Sequence, residues 1–276
     1  MARKAARIGS HGTTNALFAF PEQSRYTQPP MVISIVIPAY NEERLIGSCL
    51  RSVLRETHHY GADAEVLVIN NASTDRTRLV AGRYQGVRVI DEPCKGLSRA
   101  RHRGYLEPRG DLVVNVDADC VMPPGYLERV VRSFASNHRL TLLTGPFLYR
   151  DLPQVSQVVT IVFYLFQFVP NIIGQRILKL GAVAQGGNFT ARRSALEEVG
   201  GYNTSLTFYG EDTDIAIRLS RVGLVRFSFA VIMKTSGRRL RKEGVLRAGT
   251  LYALNIIFMM VRGRPLTRTH QDVRTA

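Results

Sequence analysis

Cysteine is scarce in this chain of 276 residues, and the three that occur, Cys49, Cys94 and Cys120, lie far apart. Three scattered cysteines are too few for a disulfide framework, and none of them belongs to a Cys-x-x-Cys pair. The sequence therefore excludes a fold that disulfides hold together, and it favours a reducing compartment.

Acidic residues are also few: 22 aspartates and glutamates stand against 37 lysines and arginines, which gives a net charge of +15. Such an excess favours an anionic partner, which is a nucleic acid, a phosphorylated ligand or an anionic membrane surface. The rest of the composition is that of an ordinary globular protein, because 45% of the residues are hydrophobic and 21% are charged.

The first 30 residues do not show the pattern of a folded segment. They are basic and polar, and their one apolar patch, residues 15–20 ("NALFAF"), is too short for the apolar core of a signal peptide. We therefore predict a disordered basic tail over residues 1–30 and no signal peptide.

From residue 31 onward, short β-branched runs alternate with amphipathic stretches. Nearly continuous apolar runs of this length are typical of parallel strands that are covered on both faces. The predicted strands are 32–38, 65–70, 86–91 and 111–116, and the helices between them are 41–56, 73–84 and 96–108. This order predicts an α/β fold, with a doubly wound, mostly parallel, Rossmann-like sheet and helices on both of its faces.

The second half of the chain is less regular. Its pattern predicts a helix over 126–136 and strands over 140–145 and 225–232. Residues 153–174 and 248–261 are two long, mainly apolar stretches without a charged residue. Basic residues flank both stretches, and the stretches contain several polar side chains, so neither is a clean membrane span.

Two carboxylates follow the fourth predicted strand, in "LVVNVDADCVMPPG" (112–125). Asp117 and Asp119 are two residues apart, so in extended backbone both side chains point to the same side. Two such carboxylates repel one another unless a cation lies beside them. Ligands collect at the carboxyl ends of parallel strands, so we expect a ligand site here. The alternative is a solvated turn that only ends the strand.

Six ordered motifs between residues 31 and 230 resemble those of the inverting glycosyltransferases of family 2, which have the GT-A fold. They are "ISIVIPAYNEE" (33–43), "NNASTDRT" (70–77), "KGLSRARHRG" (95–104), "DADC" (117–120), "GGNFTARRSALEEVGGYN" (186–203) and "GEDTDIAIRLSRVG" (210–223). The resemblance implies a glycosyltransferase domain over 31–236, with a nucleotide-binding half (31–120) and an acceptor half (121–236). Residues 237–276 then form a basic and apolar helical extension.

The resemblance implies a nucleotide-sugar donor, with a UDP-sugar as the first choice and a GDP-sugar as the second. Asp117 and Asp119 would hold a divalent cation on the diphosphate, and Mg²⁺ or Mn²⁺ suits their hard oxygen atoms. A histidine ligand that some relatives have downstream is missing from "VIMKTSGRR" (231–239). The other residues assigned to donor binding are Pro38, Ala39, Tyr40, Glu42, Asn70, Asn71, Lys95, Arg99, Ala118, Gly186, Gly187, Asn188, Arg238 and Arg239.

These residues have different implied roles. The residues implied to line the nucleoside pocket are Pro38, Ala39, Tyr40, Glu42, Asn70 and Asn71. Residues 186–188 would form the floor beneath the sugar, and Arg238 and Arg239 would close over the diphosphate. Many members of the family have an aspartate at 70 or 71, where this chain has asparagine, so the base is left open. Either Lys95 or Arg99 is expected to contact the ligand, and a solvated basic helix face is the alternative.

An acidic pair that follows a glycine, Glu211 and Asp212, matches the place where the family brings acceptor and donor together. Inversion needs one base to take the proton of the acceptor hydroxyl, and no covalent nucleophile. We assign that base to Asp212, and to Glu211 the orientation of the acceptor or of the helix start. An acidic helix N-terminus that the helix dipole favours is the structural alternative.

Two further interpretations compete with the enzyme: a basic nucleic-acid-binding protein and an inactive, transferase-like scaffold subunit. No nucleic-acid-binding module is recognisable, so no nucleic-acid partner is expected. The uncharged stretches suit helices in the interface of an anionic membrane, with a lipid-linked or cell-envelope glycan as acceptor, on the cytoplasmic face. The alternative is that they are core or dimer-interface helices, and the sequence sets no oligomeric state.

Overall fold

The computed structural model describes residues 31–61, 64–173, 183–206 and 209–267, and the tail predicted over 1–30 lies outside these ranges. The strands are β1 (Ile33–Ala39), β2 (Ala64–Asn71), β3 (Val87–Glu92), β4 (Leu112–Val116), β5 (Leu140–Thr144), β6 (Phe147–Tyr149), β7 (Asn188–Arg192), β8 (Leu224–Phe227) and β9 (Met233–Thr235). The helices are α1 (Ile46–Tyr60), α2 (Thr77–Ala81), α3 (Leu97–Leu106), α4 (Tyr126–Ala135), α5 (Gln154–Ile173), α6 (Arg193–Glu198), α7 (Glu211–Val222), α8 (Arg238–Glu243) and α9 (Val245–Arg262).

The main sheet has the strand order β3-β2-β1-β4-β7-β5-β8. Neighbouring strands run parallel except at β7, which is antiparallel to both β4 and β5. In register, Ile35 of β1 lies between Val66 of β2 and Val114 of β4. A second sheet pairs β6 with β9 in parallel. The prediction of an α/β fold with a mostly parallel, doubly wound sheet is confirmed.

The core consists of two layers, one on each face of the main sheet. Every residue of β1 is buried, because alternate side chains of the strand pack into opposite layers. Ile35 belongs to the layer that α1 and α4 complete, and Val36 belongs to the layer that α3 and α7 complete. This two-sided burial explains why the strand sequences are almost continuously apolar.

Several elements differ from their predicted bounds. Helix α1 begins at Ile46 instead of residue 41, because Asn41 has a left-handed φ of 52° and a turn follows it. Strand β8 ends at Phe227 instead of residue 232, and the separate strand β9 follows it. Strand β7 had not been predicted from the glycine-rich passage that contains it.

The two uncharged stretches form α5 and α9, which pack against each other. Among the described residues, α9 is the one helix long and apolar enough to cross a membrane, by length and composition. The described side chains of α5 and α9 include exposed apolar residues, among them Val158 and Ile161 on α5 and Ile257 and Val261 on α9. Both helices therefore carry an apolar outer surface.

Candidate active site

A cavity of about 270 Å³ lies at the carboxyl ends of β1 and β4. Five acidic residues from three separate segments line it: Glu42 after β1, Asp117 and Asp119 after β4, and Glu211 and Asp212 at the start of α7. Parallel strands end at the same edge of a sheet, which is why residues far apart in sequence meet here. The two acidic pairs predicted from the sequence therefore share one cavity.

Each aspartate of the strand-end pair lies beside an arginine, which meets the expectation that a cation balances them. An Nη of Arg101 donates to Oδ1 of Asp117 at 3.1 Å, and an Nη of Arg238 lies 3.4 Å from Oδ2 of Asp119. The hydroxyl of Thr235 donates to Oδ1 of Asp119 at 3.2 Å. Burial, with the nearby charge of Glu42, raises the pKa of Asp119 to about 6, although Arg238 opposes this shift.

The second acidic pair is held differently. Glu211 is buried and forms an ion pair with Arg101. Asp212 is less buried, and it accepts the backbone N–H of Gly186 at 3.0 Å and that of Thr213 at 2.7 Å. Burial raises the pKa of both carboxyl groups above their usual values, and the charge of Arg101 opposes the shift in both. A carboxylate in such a site accepts a proton more readily than one in water.

Arg238 and Arg239 begin α8 and both line the cavity. Arg238 forms an ion pair with Glu42 in addition to its contact with Asp119, so it joins the ends of β1 and β4. Arg239 is paired with Glu243 at 3.1 Å. Both arginines thus line the cavity, and their contact with a diphosphate stays a prediction.

The glycine-rich passage approaches the carboxylates closely. Gly187 has a φ of 76°, and a side chain there would overlap the carboxyl group of Asp117. A Cβ on Gly186 would lie 3.2 Å from the guanidinium group of Arg101. Asn188 is fully buried, where it donates to the carbonyl groups of Gly145, Pro146 and Val231. Its amide therefore joins this passage to the segments that follow β5 and β8.

The predicted residues divide into two groups by their relation to the cavity. Those that line it are Pro38, Glu42, Asp117, Ala118, Asp119, Gly186, Glu211, Asp212, Arg238 and Arg239. Those outside its lining are Ala39, Tyr40, Asn70, Asn71, Lys95, Arg99, Gly187 and Asn188.

Of the residues assigned to the nucleoside, Tyr40, Asn70 and Asn71 lie outside the lining of the cavity. The Lys95 amine donates to the Tyr40 hydroxyl at 2.8 Å and lies 4.0 Å from the centre of its ring. Asn71 accepts the N–H of Gly96 and donates to the carbonyl of Cys94, each at 2.8 Å, so it fixes the loop that carries Lys95. Asn70 donates to Asp91 at 2.8 Å. Arg99 is exposed on α3.

Sequence reasoning missed two groups of cavity residues. It favoured Lys95 or Arg99 in the "KGLSRARHRG" motif, whereas Arg101 is the buried residue that reaches the carboxylates. The spacing of Leu97, Arg101 and Gly104 places them on one helix face, which could have indicated it. The second group is the apolar and aromatic wall, which includes Phe147, Tyr149, Phe163, Tyr164, Tyr209, Tyr252 and Ile256.

The donor atoms of the strand-end pair, Asp117 and Asp119, are those of a site for a hard divalent cation. Among the described residues, no group of three or more His, Cys, Asp or Glu side chains is placed to hold a metal ion. Mg²⁺ characteristically binds through one or two carboxylates and takes its other ligands from phosphates and water. Asp117 keeps 36% of its side chain exposed, and only its Oδ1 takes the bond from Arg101. The two aspartates thus fit an ion that the substrate helps to hold.

Comparison with known proteins decides the family. The model of the family described as Glycosyl transferase family 2 matches residues 34–200. The chain belongs to this family. YdaM of Bacillus subtilis, named as a probable glycosyltransferase, is 28% identical over 212 residues, which are 72% of this chain and 49% of YdaM. The dolichyl-phosphate beta-glucosyltransferase ALG5D of Trichomonas vaginalis is 30% identical over 45% of this chain and 42% of its own length. The chain thus spans about half the length of these relatives.

Solved structures show the same fold at low sequence identity. The mannosyltransferase PcManGT from Pyrobaculum calidifontis, in complex with GDP-Man and Mn²⁺, has a TM-score of 0.63 and 19% identity, over 85% of this chain and 64% of that one. Glucosyl-3-phosphoglycerate synthase from Mycobacterium tuberculosis, in complex with Mn²⁺, UDP-Glc and phosphoglyceric acid, has a TM-score of 0.55 and 21% identity, over 85% and 81% of the two chains. The predicted GT-A type of fold is confirmed.

Proposed function

We propose that this chain is an inverting glycosyltransferase that moves a sugar from a nucleotide-diphosphate sugar to a hydroxyl acceptor in one metal-assisted displacement. The observation that carries the proposal is the meeting of two acidic pairs in one cavity, Asp117 with Asp119 and Glu211 with Asp212. Family membership supports it, as do fold neighbours that bind nucleotide sugars and Mn²⁺.

The donor half has the charges that a nucleotide-sugar needs. Asp117 and Asp119 would hold Mg²⁺ or Mn²⁺, which when bound neutralises the charge that develops on the leaving diphosphate. Arg238 and Arg239 add two positive charges at the same wall of the cavity. A UDP-sugar is the first choice of donor and a GDP-sugar the second, with Tyr40 and Lys95 beside the nucleoside.

The acceptor half offers one accessible base. Both carboxylates line the cavity, but Glu211 is paired with the buried Arg101, whereas Asp212 is less buried and accepts two backbone N–H groups. We assign to Asp212 the removal of the acceptor proton as the acceptor oxygen attacks the anomeric carbon. Glu211 orients the first turn of α7, and the bond to the leaving diphosphate breaks on the opposite face of the sugar.

The apolar and aromatic residues of the cavity wall indicate the class of acceptor. Phe163 of α5 and Tyr252 and Ile256 of α9 line the cavity, so one side of it is apolar and aromatic. The same two helices expose apolar residues outward. We therefore assign the acceptor to lipid-linked or cell-envelope glycans, and the protein to the cytoplasmic face of an anionic membrane.

The proposal is tested by removing charge from the strand-end pair. Asp117→Asn or Asp119→Asn should lower turnover at least about 10²-fold while thermal unfolding shows an intact fold, because several kcal/mol of transition-state stabilisation depend on the cation. Turnover is measured with a panel of UDP-, GDP- and dTDP-sugars in the presence of Mn²⁺. Asp214→Asn is the matched control and should keep its activity, because Asp214 lies outside the cavity lining and is paired with Arg218.

Full activity of either aspartate variant, or of the wild-type protein in excess chelator, would contradict the metal-assisted reaction. Metal-dependent binding of a nucleotide-sugar without any transfer would instead favour a scaffold subunit.

A further inference from the structure

One fully buried guanidinium group connects the two acidic pairs. Arg101 of α3 has only 1% of its side chain exposed. One of its terminal nitrogens donates to Asp117 at 3.1 Å, and the other donates to Glu211. Asp117 follows β4 and Glu211 begins α7, so a single side chain holds the ends of two elements that belong to different halves of the cavity.

The surroundings of Arg101 fix its plane. The centre of the Phe189 ring lies 5.7 Å from the guanidinium carbon, and a Cβ at Gly186 would lie 3.2 Å from a terminal nitrogen. A guanidinium group is planar and presents two donor nitrogens at a fixed angle, whereas an ammonium group is a point charge. The geometry thus requires the two-pronged shape of arginine as well as its charge.

We propose that Arg101 is a positioning residue that couples the cation site to the acceptor site. One arm orients Asp117 for the cation, and the other orients Glu211 and with it the turn that carries Asp212. This inference rests on the proposed function, because it assigns the two ends of the coupling to donor and acceptor. The inference requires that a substitution of Glu211 lowers the affinity of Asp117 for the cation. A guanidinium group that Glu211 no longer holds competes with the cation for Asp117.

The first experiment measures Mn²⁺ binding to the full chain by isothermal titration, which needs no activity. Glu211→Gln should weaken Mn²⁺ binding about tenfold, within the range known for outer-shell changes. Asp214→Asn removes the same charge from the same first turn of α7, but Asp214 is paired with Arg218 and not with Arg101. The Kd of this variant for Mn²⁺ should therefore stay within about twofold of wild type. An equal effect of both variants, or none of either, overturns the inference.

The second experiment covers the case in which Glu211→Gln does not fold. Arg101→Ala should lower turnover about 10²-fold, because small displacements of reacting groups have effects of that size. Added methylguanidinium should restore part of the lost turnover, and methylammonium should not. Rescue by both cations or by neither overturns the coupling role. A wild-type chain that binds no Mn²⁺ overturns the proposed function together with this inference, whereas Mn²⁺ binding that Glu211→Gln leaves unchanged overturns the inference alone.

Discussion

At the scale of single residues, the two carboxylates that begin α7 differ in what surrounds them. Glu211 is 5% exposed and forms an ion pair with Arg101. Asp212, one residue later, lines the cavity and accepts two backbone N–H groups. A general base must be reachable by the acceptor hydroxyl, so the neighbour that is tied to a buried arginine is the poorer candidate.

Replacing the base should separate catalysis from binding. Asp212→Asn is expected to lower kcat about 10²-fold or more, with the affinity for the donor little changed, because a general base contributes about that factor. The measurement is steady-state turnover at saturating Mn²⁺, with donor binding determined separately by titration. Asp214→Asn, two residues further along α7, is the control and should retain its kcat.

The assignment would be contradicted if, at saturating Mn²⁺, Asp212→Asn lowered kcat only slightly and Glu211→Gln lowered it strongly. The two residues would then exchange roles. The anomeric configuration of the product, determined by NMR, should be inverted. Retention would point to a covalent intermediate and a different mechanism.

Sequence reasoning named acidic residues that line the cavity, but in the basic motif it favoured Lys95 or Arg99, which lie outside the lining, over Arg101. Each acidic pair belongs to a short motif whose residue types themselves indicate the chemistry: Asp117 with Asp119, and Glu211 with Asp212. Arg101 could not be told from Arg99 in the same way, since the two are alternate residues of one motif. The choice depends on which face of α3 meets the sheet, and tertiary packing decides that face.

At the scale of elements, α3 determines the position of Arg101 because the helix lies directly on the main sheet. Gly104 faces β1, and any side chain there would overlap Val36. Ala100 is fully packed against the same layer. The close approach that the glycine permits is therefore what brings the guanidinium group of Arg101 to the end of β4.

Filling this contact should move the helix away from the sheet. Gly104→Ala is expected to lower the free energy of unfolding by about 1–2 kcal/mol, because overpacking outweighs the helix propensity that alanine gains. Gly82→Ala is the control, since a Cβ there meets only ordinary contacts at 3.4 Å or more. Urea unfolding of both variants measures the difference, and a Gly104→Ala variant as stable as wild type would show that α3 is not closely seated.

The elements that sequence patterns did not predict share a physical cause. The parallel strands β1, β2 and β4 are almost wholly buried, so their apolar runs stand out, whereas β3 is a partly exposed edge strand. Strand β7 is a five-residue stretch, "NFTAR", with polar and apolar residues mixed. It becomes a strand because it fits between β4 and β5 in the finished sheet, and local sequence carries no sign of that.

At the scale of the whole molecule, positive charge and exposed apolar surface occur together near the C-terminal helices. Arg241, Lys242 and Arg247 are exposed before or within the start of α9, and Arg262 and Arg264 are exposed at its end. Each basic side chain near an anionic surface contributes about 1 kcal/mol to binding. The +15 net charge and the apolar faces of α5 and α9 thus favour the same partner.

The last prediction tests that partner by flotation. The full chain should float with liposomes that contain anionic lipid more than with zwitterionic ones, and added salt should weaken the binding because it screens exposed charges. Ile257→Glu with Val261→Glu should lower the bound fraction at least about fivefold, since both side chains are exposed, at 53% and 75%, and apolar. Leu79→Glu, at 55% exposure on α2, is the control and should bind as wild type does.

Binding to neither kind of liposome at low salt would contradict the membrane assignment and would favour a protein interface for α5 and α9. Resistance to carbonate extraction from native membranes would show a stronger attachment, in which α9 crosses the bilayer, as its 18 residues and composition permit. The two results are distinguishable, because an interfacial helix is released by carbonate and its binding depends on the charge of the lipid, whereas a spanning helix is held by the apolar core of the bilayer.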